Sequence, residues 1–212
     1  SQLVHLALYK FYLEENNTEQ AIVSMKIVLQ SPQINPDAKI MVLTDFIKFV
    51  SKNPEYEQDL VEATSFALNG TNDKSYIELA QYYLTKGEKT KALEYYSTAL
   101  KIDSGNYTVL KNVLLLELEL EHYEKAVLKS EKALLKYPSQ PLLYLVSGVA
   151  LNKLNKFQQA IDALETGLDY VIDDANMEGD FYKQLSMAYH ALNNTSKAKT
   201  FTDKAKQLES KN

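Results

Sequence analysis

Three histidines, His5, His122 and His190, are the side chains of this sequence best suited to proton transfer or metal ligation near neutral pH. They fall in the first helix, a turn and the eleventh helix of the periodic pattern, too dispersed to converge on one metal. Asp174, Asn176, Glu178 and Gly179 resemble the opening of a calcium loop, but Leu185 stands where that loop needs a bidentate Glu. They read instead as an acidic connector that stabilises the N-terminus of the helix after it. Ser147 and Ser186 occupy or adjoin small packing positions and lack the strand, turn and helix context of a nucleophile elbow. Glu117 and Glu119 point to different sides of their helix, and no glycine-rich phosphate loop is present. With no Cys there is no thiolate nucleophile, disulfide or thiolate metal site, and the compartment stays open. The sequence therefore predicts no enzyme, no metal and no cofactor.

Composition narrows the remaining classes. The 212 residues are 45% hydrophobic and 24% charged, enough for a large core, and no Pro/Gly/Ser-rich stretch separates modules. We read residues 1–212 as one continuous domain. The net charge is -5, and all 23 basic residues are Lys, so the planar phosphate fork of Arg is missing and nucleic acid is not an expected partner. The longest weakly polar run, from Pro141 to Leu151, is too short to span a bilayer. Heavy use of Lys, Asn, Ile and Tyr points to an AT-rich, bacterial coding sequence. The first residue is not Met and a helix pattern starts at once, as in a piece trimmed from a longer chain.

The organising stretch runs from Asp73 to Asn106. Tyr76, Leu79, Ala80 and Tyr83 recur at the spacing of one helix face, Gly87 breaks the run, and Ala92, Leu93, Tyr96, Ala99 and Leu100 form a second stripe. Burying both stripes requires two helices antiparallel across a short turn. Small residues let the backbones approach and tyrosines fill the space around them. This order of aromatic, Leu, small residue, Tyr, then Ala and aromatic resembles the tetratricopeptide repeat, with Tyr76 in place of the usual Trp. The resemblance implies an all-α, right-handed superhelical solenoid of about six antiparallel helix pairs, a concave side that binds peptides or proteins, and no chemistry.

The rest of the chain repeats the plan, with pairs at about 2–30, 37–68, 73–104, 107–137, 141–172 and 177–209. In the first, Leu8, Tyr9 and Tyr12 face Ala21, Met25 and Val28, with Thr18 as the expected N-cap. The second departs most from the pattern: Leu43, Ile47, Tyr56, Leu60 and Ala63 fit its stripes, Asn53 and Pro54 its turn, and Asn69 and Gly70 its end. The fourth carries Glu117 and Ser130 where the organising unit has Tyr83 and Tyr96, a lighter and more polar seam. In the fifth, Gly148 and Gly167 stand inside helices, where glycine costs about 1 kcal/mol against Ala, so both indicate close helix contact. The sixth is displaced by four extra residues, and its last helix is lysine-rich, as in a soluble cap.

The resemblance also indicates which residues would line the concave side, because the first helix of each pair does so in that family. They are Ile77, Gln81 and Leu84; Lys111, Leu115 and Leu118; Leu142, Leu145, Val149 and Asn152; and Lys183, Met187 and His190. An apolar middle with polar edges suits an extended or helical protein segment. Family members that clamp a C-terminal carboxylate do so with Lys, Asn and Arg. Here only Asn112 matches, while Ile77, Gln81, Leu142 and Val146 replace the other ligands, so that mode is not expected. The first helix is apolar on nearly all sides, and Leu3, Leu6, Lys10 and Leu13 are a second candidate interface, covered by upstream repeats or by a second copy in a homodimer.

Overall fold

A computed structural model describes residues 2–67 and 73–210; the expected pair end at Asn69 and Gly70 lies outside the described residues. Among the described residues the secondary structure is entirely helical. The α-helices are α1 (His5–Glu14), α2 (Thr18–Gln30), α3 (Pro36–Lys52), α4 (Glu57–Ala67), α5 (Asp73–Thr85), α6 (Lys89–Ile102), α7 (Tyr107–Glu119), α8 (Tyr123–Leu134), α9 (Pro141–Lys153), α10 (Phe157–Leu168), α11 (Ala175–Ala191) and α12 (Thr195–Glu209). The chain forms two compact units, residues 1–113 and 114–212, whose boundary falls within α7.

One turn recurs inside the pairs. Asn16, Gly87, Glu121, Asn155 and Asn193 all have positive φ, at the same place in the repeat. The amide after each reaches back five residues: Asn17 to Tyr12, Glu88 to Tyr83, His122 to Glu117, Lys156 to Leu151 and Asn194 to Tyr189, at 2.8–2.9 Å. The left-handed residue itself donates to a carbonyl three residues back, as Gly87 does to Leu84 at 3.0 Å. This double bond pattern is the Schellman motif, which satisfies the last carbonyls of one helix and turns the chain into the next. The α3–α4 turn is the exception. There Asn53 has φ -134° and ψ 71°, its Nδ2 caps the Phe49 carbonyl at 2.9 Å, and Pro54–Tyr56 makes a 3-10 turn before α4.

In the first unit α1 packs on α2, α2 on α3 and α4, α3 on α5, and α5 on α6. Tyr9, Met25, Phe46, Leu60, Leu79, Tyr83 and Tyr96 are fully buried, each contributing on the order of 2 kcal/mol of apolar burial. Two expectations need correction here. The N-cap of α2 is Asn17, whose side chain accepts from the Gln20 amide, and Thr18 is already helical. The buried face of α3, which packs on α2, α4 and α5, is Val42, Leu43, Phe46 and Val50, while Ile47 is only half-buried. Polar clasps join the pairs: the Tyr9 hydroxyl donates to Asp45 at 2.8 Å, and Lys26 meets Asp59 and Glu62, each at 2.8 Å.

In the second unit α8 packs on α9, α9 on α10, α10 on α11 and α11 on α12. Its core runs through Leu151, Ala160, Ile161, Leu164, Phe181, Leu185 and Tyr189. The helix glycines are at close contacts: a Cβ on Gly148 would lie 2.4 Å from Leu164, and one on Gly167 would lie 2.3 Å from Tyr144. Asp174 caps α11 by accepting from the Met177 amide at 2.9 Å, next to the positive end of the helix.

Candidate functional site

Helical periodicity and the repeat period together place the candidate residues. Gln81, Leu115, Val149 and Met187 occupy one repeat position; Leu84, Leu118, Asn152 and His190 occupy the next turn, and Ile77, Lys111, Leu145 and Lys183 the turn before. Neighbouring positions such as Leu79, Ala80 and Tyr83 are buried, so this face is what the first helices leave over.

In the first unit Gln81 and Leu84 are exposed and Ile77 and Lys111 half-buried, with the Lys111 ammonium 5.7 Å from the Tyr107 ring. Asn112, which matches the clamp pattern, is half-buried and close enough to the Tyr96 phenol to offset part of the rise that burial gives it. In the second unit Leu115 is 43% exposed and Met187 50%, while Leu118, Leu142, Leu145 and Val149 are half-buried. Leu145 also packs on the core cluster. Lys183 and His190 are exposed; Lys183 meets Glu209 at 2.8 Å, and that hydrogen bond holds its ammonium above the usual range. Asn152 is the one buried member of the set. Its Nδ2 donates to the backbone carbonyl and to Oε1 of Gln184, at 3.1 and 3.0 Å, so it ties α9 to α11.

At the N-terminal helix Leu3 and Lys10 are exposed, and Leu6 and Leu13 are half-buried. Sequence reasoning missed the more exposed stripe. Val4, Ala7 and Phe11 share a face turned to solvent, with Val4 at 51% and Phe11 at 54%, and Val23 of α2 is 48% exposed. The three-and-four spacing of Val4, Ala7 and Phe11 was legible, but in LVHLALYKFYL apolar residues cover every direction and no single face stands out.

Apart from the exposed His190, the histidines and Ser186 make structural hydrogen bonds. His5 Nδ1 lies 3.1 Å from Ser24 Oγ, and His122 Nδ1 lies 2.7 Å from Glu117. Glu117 is buried, and Lys129 also closes on its carboxylate. Ser186 donates to the Ala198 carbonyl at 3.0 Å, and its Oγ lies within hydrogen-bond distance, 2.7 Å, of Thr202 Oγ1. No group of three or more acidic or histidine side chains among the described residues is arranged to hold a metal. No helix among them is long and apolar enough to cross a membrane.

Comparison with known proteins agrees with the repeat geometry. A tetratricopeptide-repeat family model matches residues 73–106, the organising unit. The tetratricopeptide repeat protein 21 homolog of Caenorhabditis elegans is 25% identical over 215 residues, covering 91% of this chain; the chain spans only 16% of that protein's length. Among solved structures, MamA from Desulfovibrio magneticus RS-1 superposes with a TM-score of 0.64 at 14% identity, covering 81% of this chain and 96% of that one. MamA AMB-1 superposes at 0.62 and 21% identity, covering 80% and 99%. At these identities the structures establish the fold, an all-α array of helix pairs. Matched in sequence at its central unit and carrying the same turn in five pairs, this chain is similar to the tetratricopeptide-repeat proteins.

Proposed function

We propose that the chain is a protein-interaction scaffold without catalytic activity, and that the first-helix face of its second unit binds an apolar segment of a protein partner. The observation that carries this reading is the exposure of Leu115 and Met187 at one repeat position, at 43% and 50%. Half-buried Leu118, Leu142 and Val149 accompany them on the same set of helices. Apolar side chains left half-covered on a rigid helix array supply anchor sites at little ordering cost. Lys183 and His190 would form a polar rim.

The test is partner capture from a lysate with Leu115→Glu/Met187→Glu. Both side chains are exposed, so the fold should persist by circular dichroism while capture falls at least about tenfold. Leu128→Glu changes a residue of α8 that is 69% exposed, away from this face, and should leave capture intact. Equal loss in both variants, or no loss in the first, would sink the reading.

The exposed Val4, Phe11 and Val23 support a second reading, a structural segment that self-associates or stacks on further repeats through its N-terminal pair. Light scattering over a concentration series tests it. A dimer that Phe11→Glu converts to monomer would establish self-association, whereas a monomer at every concentration would leave the first-helix face as the binding surface.

A further inference from the structure

A cleft of about 460 Å3 opens in the first unit, lined by Glu57 and Val61 on α4, Tyr83 on α5, and Lys91, Glu94 and Tyr95 on α6. Its walls come mostly from second helices, so it lies outside the first-helix face. The lining selects for charge. Tyr83 and Tyr95 are stacked, with centroids 5.5 Å apart and planes within 3°, and tyrosine faces attract cations. The fold already places one there: Lys91 Nζ lies 4.7 Å from the centre of the Tyr83 ring, 2.7 Å from Glu88 and 3.8 Å from Glu57. Lys86 closes on Glu57 as well and meets Glu88 at 3.2 Å. The cleft itself is lined by two carboxylates, Glu57 and Glu94, and one ammonium, Lys91, so it is negative. An anion would have to displace a carboxylate from Lys86 or Lys91. A cation meets Glu94, which is exposed, and the half-buried ring of Tyr95. Val61, 39% exposed, adds an apolar strip along which a methylene stem can lie.

We propose that the α4–α6 cleft is a binding site for a cationic side chain, an exposed arginine or lysine of a protein partner, laid along Tyr95 with its charge on Glu94. Arginine fits better than lysine, since its planar guanidinium stacks on a ring while pairing with a carboxylate. The site is independent of the first-helix face and stands or falls separately.

The test titrates the isotope-labelled chain with N-acetyl-arginine amide and with the lysine, glutamine and glutamate analogues, following backbone amide NMR shifts. The expected result is saturable shifts at residues 57–61 and 91–95 with the arginine amide, weaker ones with lysine, and none with glutamine or glutamate. Glu94→Gln should weaken binding about tenfold, the worth of one charge-assisted hydrogen bond. Lys91→Met, which removes the resident cation, should tighten it. Both change exposed side chains, and an unchanged spectrum elsewhere reports an intact fold. Lysine binding more tightly than arginine would keep the cation site and assign it to ammonium. An equal response to glutamate amide, shifts confined to other residues, no saturable response, or native affinity in Glu94→Gln would overturn the proposal.

Discussion

Gly148 lacks a side chain because Leu164 occupies the place of its Cβ, 2.4 Å away. In the preceding pair the same two places hold Leu114 and Ser130, so the volume has been exchanged across the contact. Leu164 is fully buried and cannot swing aside. Gly148→Ala should therefore destabilise by about 1–3 kcal/mol despite its better helix propensity, because overpacking outweighs the gain. Urea unfolding measures this, and Gly148→Leu/Leu164→Ser, which rebuilds the combination of the preceding pair, should be more stable than Gly148→Leu alone. A related exchange links Tyr83 and Tyr95, Glu117 and Lys129, and Tyr189 and Phe201, which are equivalent places in three pairs. Two are parallel ring stacks and the middle one is an ion pair with a buried carboxylate. Lys129→Met leaves that carboxylate with only His122, for an expected loss of about 1–3 kcal/mol, discounted because Lys129 is about a third exposed. Glu117→Tyr/Lys129→Tyr should lie near the native stability, since it rebuilds the stack of the organising pair. A double variant as unstable as Lys129→Met would show that the two seams are not interchangeable.

The helix pair is the element at which sequence and structure agree best. Gly87 marked the turn of the organising unit, and the period carried that turn to Glu121, Asn155 and Asn193. Glu121 gave no signal of its own, because Glu is an ordinary helix residue and only its place in the repeat forces positive φ. The second pair was not legible to the same degree: it replaces the Schellman turn with Asn53 and a 3-10 turn, and the buried face of α3 runs through Phe46 and Val50 with Ile47 only half-buried. The pairs also share an alkaline weakness. Burial raises the phenols of Tyr83, Tyr182 and Tyr189, and Glu178 adds to the effect at Tyr182, which is pushed up to about 12. A raised phenol favours the folded state while it is neutral. This contribution is complete below the unfolded value of about 10 and is lost as pH rises through the folded one. Circular dichroism against pH should hold steady to about pH 10 and fall by about 12, with tyrosinate absorbance rising in the same window. Ionisation of all tyrosines near pH 10 with the fold intact would contradict the burial argument.

At the scale of the whole chain, the sequence could mark the faces but not rank them. The first-helix residues followed from the period, and all but Asn152 keep exposed surface; Asn152 was unreadable because its partner, Gln184, lies a full repeat away. The α4–α6 cleft was unreadable for a similar reason, since its two acidic walls, Glu57 and Glu94, belong to different pairs. Of the groups that could do chemistry, His5, His122 and Ser186 have hydrogen-bond partners and His190 lies on the surface. The recurring turn has one more consequence. Its bonds join residues three and five apart, and the ring stacks it brings together join residues twelve apart, Tyr83 with Tyr95 and Tyr189 with Phe201. Native contacts of such short span form without waiting for distant parts of the chain. A ribosome making this protein from its N-terminus therefore releases, every thirty-odd residues, a stretch able to close its own hairpin, and the array can grow in the order in which it is translated.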